Sequence, residues 1–184
     1  MRPLLKGGGL TLVRGGRLLF EGLSLGLEAG EALHITGPNG SGKSSLIRLV
    51  AGLLLPNAGR IERAEAALAD EGLALDRELP LGRALAFWNS PRLGEAMTAF
   101  HLDELAHVPV RLLSTGQAKR ARLARAMASG APLWLLDEPL NGLDRDGAKQ
   151  LTSTIAAHRA TGGAVLAASH LPLGDDWHTL ELGR

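Results

Sequence analysis

Gly37-Pro38-Asn39-Gly40-Ser41-Gly42-Lys43-Ser44 decides the reading of this chain. The stretch fits the pattern G-x-x-x-x-G-K-[ST]. Just before it, Ala32-Leu33-His34-Ile35-Thr36 is a short apolar run of the kind buried in a parallel sheet. Just after it, Ser44–Leu53 has a helical pattern. Strand, glycine-rich loop and helix in that order make an anion cradle. Glycines let successive backbone N–H groups turn inward around phosphate oxygens. A helix starting near Ser44 points its positive end at the same anion. Lys43 adds a mobile charge for β- and γ-phosphates, and the Ser44 hydroxyl suits Mg²⁺. The candidate cradle residues are Gly37, Pro38, Asn39, Gly40, Ser41, Gly42, Lys43, Ser44 and Ser45.

A second stretch carries matching chemistry. Leu133-Trp134-Leu135-Leu136-Asp137-Glu138 is an apolar strand that ends in two acids. A carboxylate at the C-terminal end of such a strand lies at the ligand edge of an open α/β sheet. Asp137 is placed to hold Mg²⁺ and its water shell, and Glu138 to polarise an attacking water. Read alone, two acids after a strand are a solvated loop start. The phosphate loop reverses that balance.

Composition narrows the remaining classes. The chain has 184 residues, 45% hydrophobic and 21% charged, with 20 Lys+Arg against 19 Asp+Glu for a net charge of +1. That length suits one domain with a real core. The composition excludes a disordered chain, and the charge balance gives no global field for nucleic acid or anionic lipid. Cys is absent, which excludes disulfides, thiolate metal sites and Cys nucleophiles. Aromatics make only 3% and Tyr is absent, so base-stacking platforms for single strands are not expected. A membrane-spanning helix needs roughly 20 apolar residues, and no run approaches that. We therefore expect no nucleic-acid partner and no direct membrane insertion. The three glycines Gly7-Gly8-Gly9 interrupt any secretory h-region near the start.

Along the chain, Leu10–Val13 and Arg17–Leu27 read as strands around the Gly15-Gly16 turn, with Leu23, Leu25 and Leu27 on one face. Leu81–Trp88 and Pro91–Leu105 carry helical spacing, broken at Asn89-Ser90-Pro91. A further helix runs from Thr115 to Ser129. Its Ala118, Leu123, Ala126 and Met127 are expected to face inward, and its Lys119, Arg120, Arg122 and Arg125 to form a solvated face. Gly147–Arg159 reads as a helix, and Leu133–Leu136 and Ala164–Ser169 as strands. Strand–helix alternation at both ends with helices between predicts a parallel-sheet core carrying a helical insert.

At this point the chain resembles the ATP-binding subunits of ABC transporters. Leu113-Ser114-Thr115-Gly116-Gln117 looks like that family's LSGGQ signature, with Thr115 where Gly is usual. Gln117 stands 20 positions before Asp137 and opens a basic helix, as in the family. Asn141-Gly142-Leu143-Asp144 resembles its D-loop, and His170 its switch histidine. The resemblance covers nearly the whole chain in the family's order. It implies an α/β, P-loop NTPase fold: a RecA-like parallel-sheet core with an antiparallel β part, plus an inserted helical subdomain. One ATP-binding domain would span 1–184, with its core at about 1–71 and 130–184 and the helical subdomain at about 72–129.

The family's mechanism follows as expectation. Two copies form a homodimer that sandwiches two ATP·Mg²⁺ head to tail. Each site joins one copy's phosphate loop to Ser114, Thr115, Gly116 and Gln117 of the other, with Asp144 of the D-loop nearby. Glu138 and His170 would be catalytic, and Ser44 and Asp137 would hold Mg²⁺. Where the family has Gln after the strand entering the helical insert, counting back from Leu79-Pro80 reaches Glu71, or Asp70 if the register shifts by one. Glu71 is therefore a third candidate Mg²⁺ ligand. Where the family stacks an aromatic on adenine, this chain has Val13-Arg14-Gly15-Gly16. Arg14 could stack through its guanidinium plane or stand as a solvent-facing turn residue.

The small insert and compact plan are similar to the ATPase subunits of cytochrome c maturation haem exporters. So are Ala51–Ile61 and Glu78–Trp88, the latter resembling an E-L-T-A-x-E-N-L-x-F-W-like run. That likeness implies integral membrane transporter subunits as partners and a peripheral place on the cytoplasmic face of the bacterial inner membrane. The six histidines are scattered and no C-x-x-C-H occurs, so haem binding by this chain is not expected. The ATPase of another small ABC exporter, or a soluble nucleotide-dependent regulatory module, would share the same motifs. An acid at the Gln position puts negative charge beside the γ-phosphate. Glu71→Gln should therefore keep or raise ATP hydrolysis, and complete loss of activity would count against the assignment.

Overall fold

Leu133-Trp134-Leu135-Leu136-Asp137 forms a strand in which every residue is buried. Its residues alternate between two separate apolar layers. Leu133 and Leu135 enter one, Trp134 and Leu136 the other. Ala164-Val165-Leu166-Ala167-Ala168, paired beside it in parallel, divides in the same way. A strand buried on both faces needs a layer on each side, and the rest of the fold supplies them.

The computed structural model describes residues 3–72 and 75–183. The strands are β1 (Leu5–Arg14), β2 (Arg17–Leu27), β3 (Ala32–Thr36), β4 (Ala58–Arg63), β5 (Ala66–Ala69), β6 (Leu133–Asp137), β7 (Ala164–Ala168) and β8 (His178–Glu181). The helices are α1 (Lys43–Val50), α2 (Leu81–Ala86), α3 (Leu93–Ala99), α4 (Thr115–Ala128) and α5 (Arg145–Ala160). Five strands make a parallel sheet in the order β5-β6-β7-β3-β8, and β2-β1-β4 make an antiparallel one. The first apolar layer joins the antiparallel sheet (Leu10, Leu12, Phe20) to α1 (Leu46, Ile47, Leu49) and one face of the parallel sheet. The second packs α4, α5 and the α2–α3 region onto the other face, around Leu123, Ile155, Leu85 and Phe100. The fold is the expected mixture of a parallel P-loop-type sheet and an antiparallel β part.

Several element bounds differ from the sequence reading, each for a physical reason. The first strand begins at Leu5, because pairing with β2 and β4 on both sides extends it. The helix expected over Pro91–Leu105 ends at Ala99. His101 takes φ 50°, and the bend lets both Phe100 and Leu102 enter the core before a 3-10 turn at Asp103–Leu105. The helix at Leu81 stops at Ala86 and leaves Phe87 exposed. Strands β4, β5 and β8 had no sequence reading. They have weak apolar alternation of their own and exist through their partners.

The basic stripe of α4 is corrected outright. Lys119 is buried, only 4% exposed. Arg120, Arg122 and Arg125 are half-buried. Their charged heads end on backbone carbonyls: Arg120 Nη1 on Phe100 O at 3.2 Å, Arg122 Nη1 on Glu71 O at 2.6 Å, Arg125 Nη2 on Leu68 O at 2.6 Å. Strand and helix ends leave such oxygens without regular partners, and long cationic side chains reach them while their stems stay in apolar surroundings.

Because Leu135 is fully buried in the central strand, Leu135→Ala should lower the unfolding free energy by about 2–5 kcal/mol. Urea unfolding of the two forms would read this as a lower midpoint at unchanged slope.

Candidate active site

The C-terminal ends of β3, β6 and β7 meet at one edge of the parallel sheet. Three different stretches of sequence enter there. From β3 the chain turns through the glycine loop into α1. Gly37 takes φ 135°, and a Cβ there would stand 2.3 Å from the Leu182 carbonyl oxygen, so only glycine fits. Gly42, at φ 105°, caps the helix without a side chain. No side chain thus caps the first amides of α1, which suits an anion at the helix start.

Lys43 is buried and folds back onto the loop. Its Nζ donates to Gly37 O at 2.8 Å and Pro38 O at 3.2 Å, and lies 3.4 Å from His170 Nε2. Ser41 Oγ is buried with no hydrogen-bond partner among the described residues. The Ser41 side chain packs against Gly37 and Gly183 and does not line the cavity beside Lys43. Ser44 Oγ donates to Asp137 Oδ1 at 3.0 Å. One hydroxyl and one carboxylate beside a phosphate cradle fit Mg²⁺, which keeps waters and takes few protein ligands.

Asp137 ends β6 and is buried. Burial pushes its carboxyl above the usual carboxylate range. The Ser44 hydrogen bond opposes this, while the neighbouring Glu138 charge adds to it. Glu138 follows at φ 46°, a left-handed conformation uncommon outside glycine. Its N–H donates to Ala168 O at 2.8 Å, and its carbonyl accepts from Lys119 Nζ at 2.6 Å. Its carboxylate faces His170, with Oε1 3.5 Å from Nε2 and Oε2 accepting the His170 N–H at 3.4 Å. These groups border a cavity of about 430 Å³ lined by Gly42, Lys43, Ser44, Ser45, Glu138 and His170, together with Leu19 and Asn141.

Other expected residues fall as follows. Arg14 is exposed at the end of β1, and its Nη1 donates to Ser45 Oγ at 3.3 Å. That ties it to the first turn of α1, on the phosphate side. Asp70 follows β5 directly, is half-buried, and pairs with Arg48 at 3.8 Å. Of the two acids there, Asp70 is the one whose charge reaches Asp137, and Glu71 is exposed. Parallel pairing of Ala69 with Leu136 explains this, because it sets Asp70 level with Asp137. Ser114 caps α4 through Gln117 N, and the Gln117 side chain accepts the Ser114 N–H in return. Ser114, Thr115, Gly116 and Gln117 do not line the cavity of their own chain. Asp144 caps α5 through Gly147 N at 2.8 Å. Sequence reasoning missed Leu19 and Lys119 as site neighbours, whereas Asn141 belongs to the stretch it read as a D-loop. For Lys119 a signal existed: Lys119, Arg122 and Arg125 recur every three residues, one stripe of a helix.

Asp137 binds a proton more tightly in the folded chain than in the unfolded one. Folding is therefore favoured by this group at low pH, and that contribution is lost as pH rises from the ordinary 3.8 through the raised value. At neutral pH the buried charge is a cost. Asp137→Asn should raise the stability of the nucleotide-free chain at pH 7, with the gain shrinking towards zero by about pH 4. Urea unfolding across pH would read it, and a gain independent of pH would refute the electrostatic account.

With this geometry in view, the likeness to known proteins is specific. A family model of ABC transporters matches residues 20–141. The cytochrome c biogenesis ATP-binding export protein CcmA of Sphingopyxis alaskensis is 55% identical over 180 residues, covering 94% of this chain and 93% of that one. The protein of the same description from Novosphingobium aromaticivorans is 60% identical over 162 residues, covering 87% and 85%. Among solved structures, the ATP binding subunit of an ABC transporter aligns with TM-score 0.84 at 24% identity, over 97% of this chain and 85% of that one. The ADP conformation of MJ1267, an ATP-binding cassette of an ABC transporter, aligns with TM-score 0.79 at 19% identity, over 99% and 88%. At those identities the structures speak for the fold, and the sequences carry the kinship. The chain belongs to the ABC transporter ATP-binding family and, within it, to the group of cytochrome c biogenesis ATP-binding export proteins.

Proposed function

We propose that this chain is the ATP-hydrolysing subunit of a cytochrome c biogenesis export complex of the haem-exporter type, acting on membrane partner subunits. One observation carries the catalytic part. Lys43, Ser44, Glu138 and His170, from three separate stretches, line one cavity, and Asp137 is tied to it through Ser44. We take 1–184 as one ATP-binding domain, with residues 72–129 as its helical subdomain.

The chemistry is hydrolysis of the γ-phosphoryl group. Residues 37–45 cradle the phosphates, and Lys43 leaves its own loop carbonyls to pair with β- and γ-oxygens. Ser44 and Asp137 would hold Mg²⁺, which would supply neutralisation of the charge that develops on the phosphates. Glu138 orients a water in line with the γ-phosphorus and accepts its proton as the bond to ADP breaks. His170 holds the γ-phosphate edge and the Glu138 carboxylate together. The second half of each site is Ser114, Thr115 and Gly116 of a second copy, whose amides sit at the start of α4 and suit an anion. Hydrolysis severs the γ-phosphate from ADP, release of the free phosphate takes away the anion that holds the copies together, and the opening moves the membrane partners.

Docking on those partners fits a groove of about 830 Å³ between β5 and the α2–α4 region. Leu68, Asp70 and Trp88 line it, and Arg125 lies over the Trp88 ring at 5.4 Å. Phe87, 79% exposed, stands next to Trp88 in the chain and packs edge-on to its ring. No helix among the described residues is long and apolar enough to cross a membrane. The proposed position is peripheral, on the cytoplasmic face of the bacterial inner membrane.

Glu138→Gln should bind ATP and hold the dimer closed, because the γ-phosphate persists. A pull-down from native membranes with ATP and Mg²⁺ should then enrich cytochrome c maturation membrane subunits over the wild-type level. Recovery of unrelated permeases would keep the ATPase and reject the haem-export assignment. Recovery of no membrane protein would favour a soluble module.

A further inference from the structure

Lys119 is a buried lysine on a helix whose other basic residues reach solvent in part. Its ammonium ends on the backbone of the acid pair, at Glu138 O (2.6 Å) and Asp137 O (3.4 Å). Burial lowers its pKa, and Arg122 adds to this; the carboxylates of Glu71, Asp137 and Glu138 act in the opposite direction. A buried charge is expensive unless it is paired and hydrogen-bonded. An apolar residue would fill the same space without that cost, so the position of the charge needs a reason.

Glu138 supplies one. Its left-handed φ of 46° is strained for a residue with a Cβ, and such strain persists only when neighbours over-determine it. Both sides of the residue are held. Ala168 O accepts its N–H, while Lys119 Nζ and the Asn141 N–H both donate to its carbonyl. That backbone conformation is what turns the carboxylate towards His170. Lys119 also lies one helical turn beyond Thr115. There, Gly116 packs so closely on the following loop that a Cβ would stand 3.1 Å from Gly142 O. Helix α4 thus grips the segment 137–142 at two points. One is at its signature end and the other is at Glu138.

We propose that Lys119 is a positioning residue: it sets the aim of the Glu138 carboxylate and links that aim to the end of α4 that carries Ser114, Thr115 and Gly116. This inference rests on the reading of Glu138 as the water-orienting group. In the closed dimer, the phosphate held by α4 of one copy belongs to the other copy's site. Lys119 therefore connects the state of one site to the catalytic carboxylate of the next.

The test compares Lys119→Met, which keeps length and apolar bulk, with Lys119→Arg, which keeps charge and donors. Both are made in the full chain. Binding is read with a fluorescent ATP analogue and turnover as phosphate release. Lys119→Met should bind within about two-fold of wild type and turn over about ten-fold more slowly, and Lys119→Arg should recover a large share of the rate. Where Lys119→Met fails to fold, Lys119→Gln, with a shorter neutral donor, takes its place with the same expectation. Wild-type turnover in the Met or Gln variant would overturn the proposal. So would equal loss of binding and turnover in the Met and Arg variants, which a merely structural role predicts. Separately, wild-type turnover by Glu138→Gln would overturn the reading of Glu138 itself.

Discussion

Double-sided burial of β6 is the constraint on which the rest depends. A strand with Leu133 and Leu135 on one face and Trp134 and Leu136 on the other stays dry only between two layers. The antiparallel sheet with α1 covers one face, and α4 with α5 covers the other. The polar end of the same strand cannot stay in either layer, so Asp137 and Glu138 emerge at the sheet edge. The phosphate loop reaches that edge from β3 and His170 from β7. The geometry of the candidate site is thus a consequence of how the core is closed.

Charge inside this molecule is spent on backbone as much as on side-chain partners. Lys43 rests on Gly37 O and Pro38 O, Lys119 on Glu138 O, Arg122 on Glu71 O and Arg125 on Leu68 O. Carbonyl dipoles are weaker partners than carboxylates. A lysine held by them can be drawn away by a triphosphate, which suits Lys43. The α4 contacts differ, because several cations act from one rigid helix on the ends of two adjacent strands, β5 and β6. Those ends carry Asp70 and Glu71 on one side and Asp137 and Glu138 on the other, so one element holds both acidic loops in place.

The clustering of acids has its own logic. Asp70 and Glu138 both add to the raised proton affinity of buried Asp137, and a cation is what relieves that repulsion. Arg48 partly relieves it at Asp70 and Ser44 at Asp137. What repulsion remains at Asp137 is of the kind a divalent cation relieves.

The sequence by itself determined the phosphate loop, the acid pair and the mixed α/β class. Each depends on neighbouring residues along one chain segment: glycines that allow positive φ, an apolar run ending in acids, strand and helix patterns in alternation. Tertiary structure alone decided what depends on packing between segments. Alanine-rich β5 becomes a strand only by pairing with β6, and that register sets Asp70 rather than Glu71 level with Asp137. Lys119 reads as solvated because a basic helix face has no intrinsic partner. It becomes buried once α4 is laid across the end of β6, where the Asp137 and Glu138 carbonyls meet it. Arg14 reads equally as a stacking guanidinium or as a turn residue, and only the fold of the β1–β2 hairpin over α1 brings it to Ser45. Local backbone chemistry is written in consecutive residues, whereas the fate of a long charged side chain is set by whichever oxygen the fold brings within its reach.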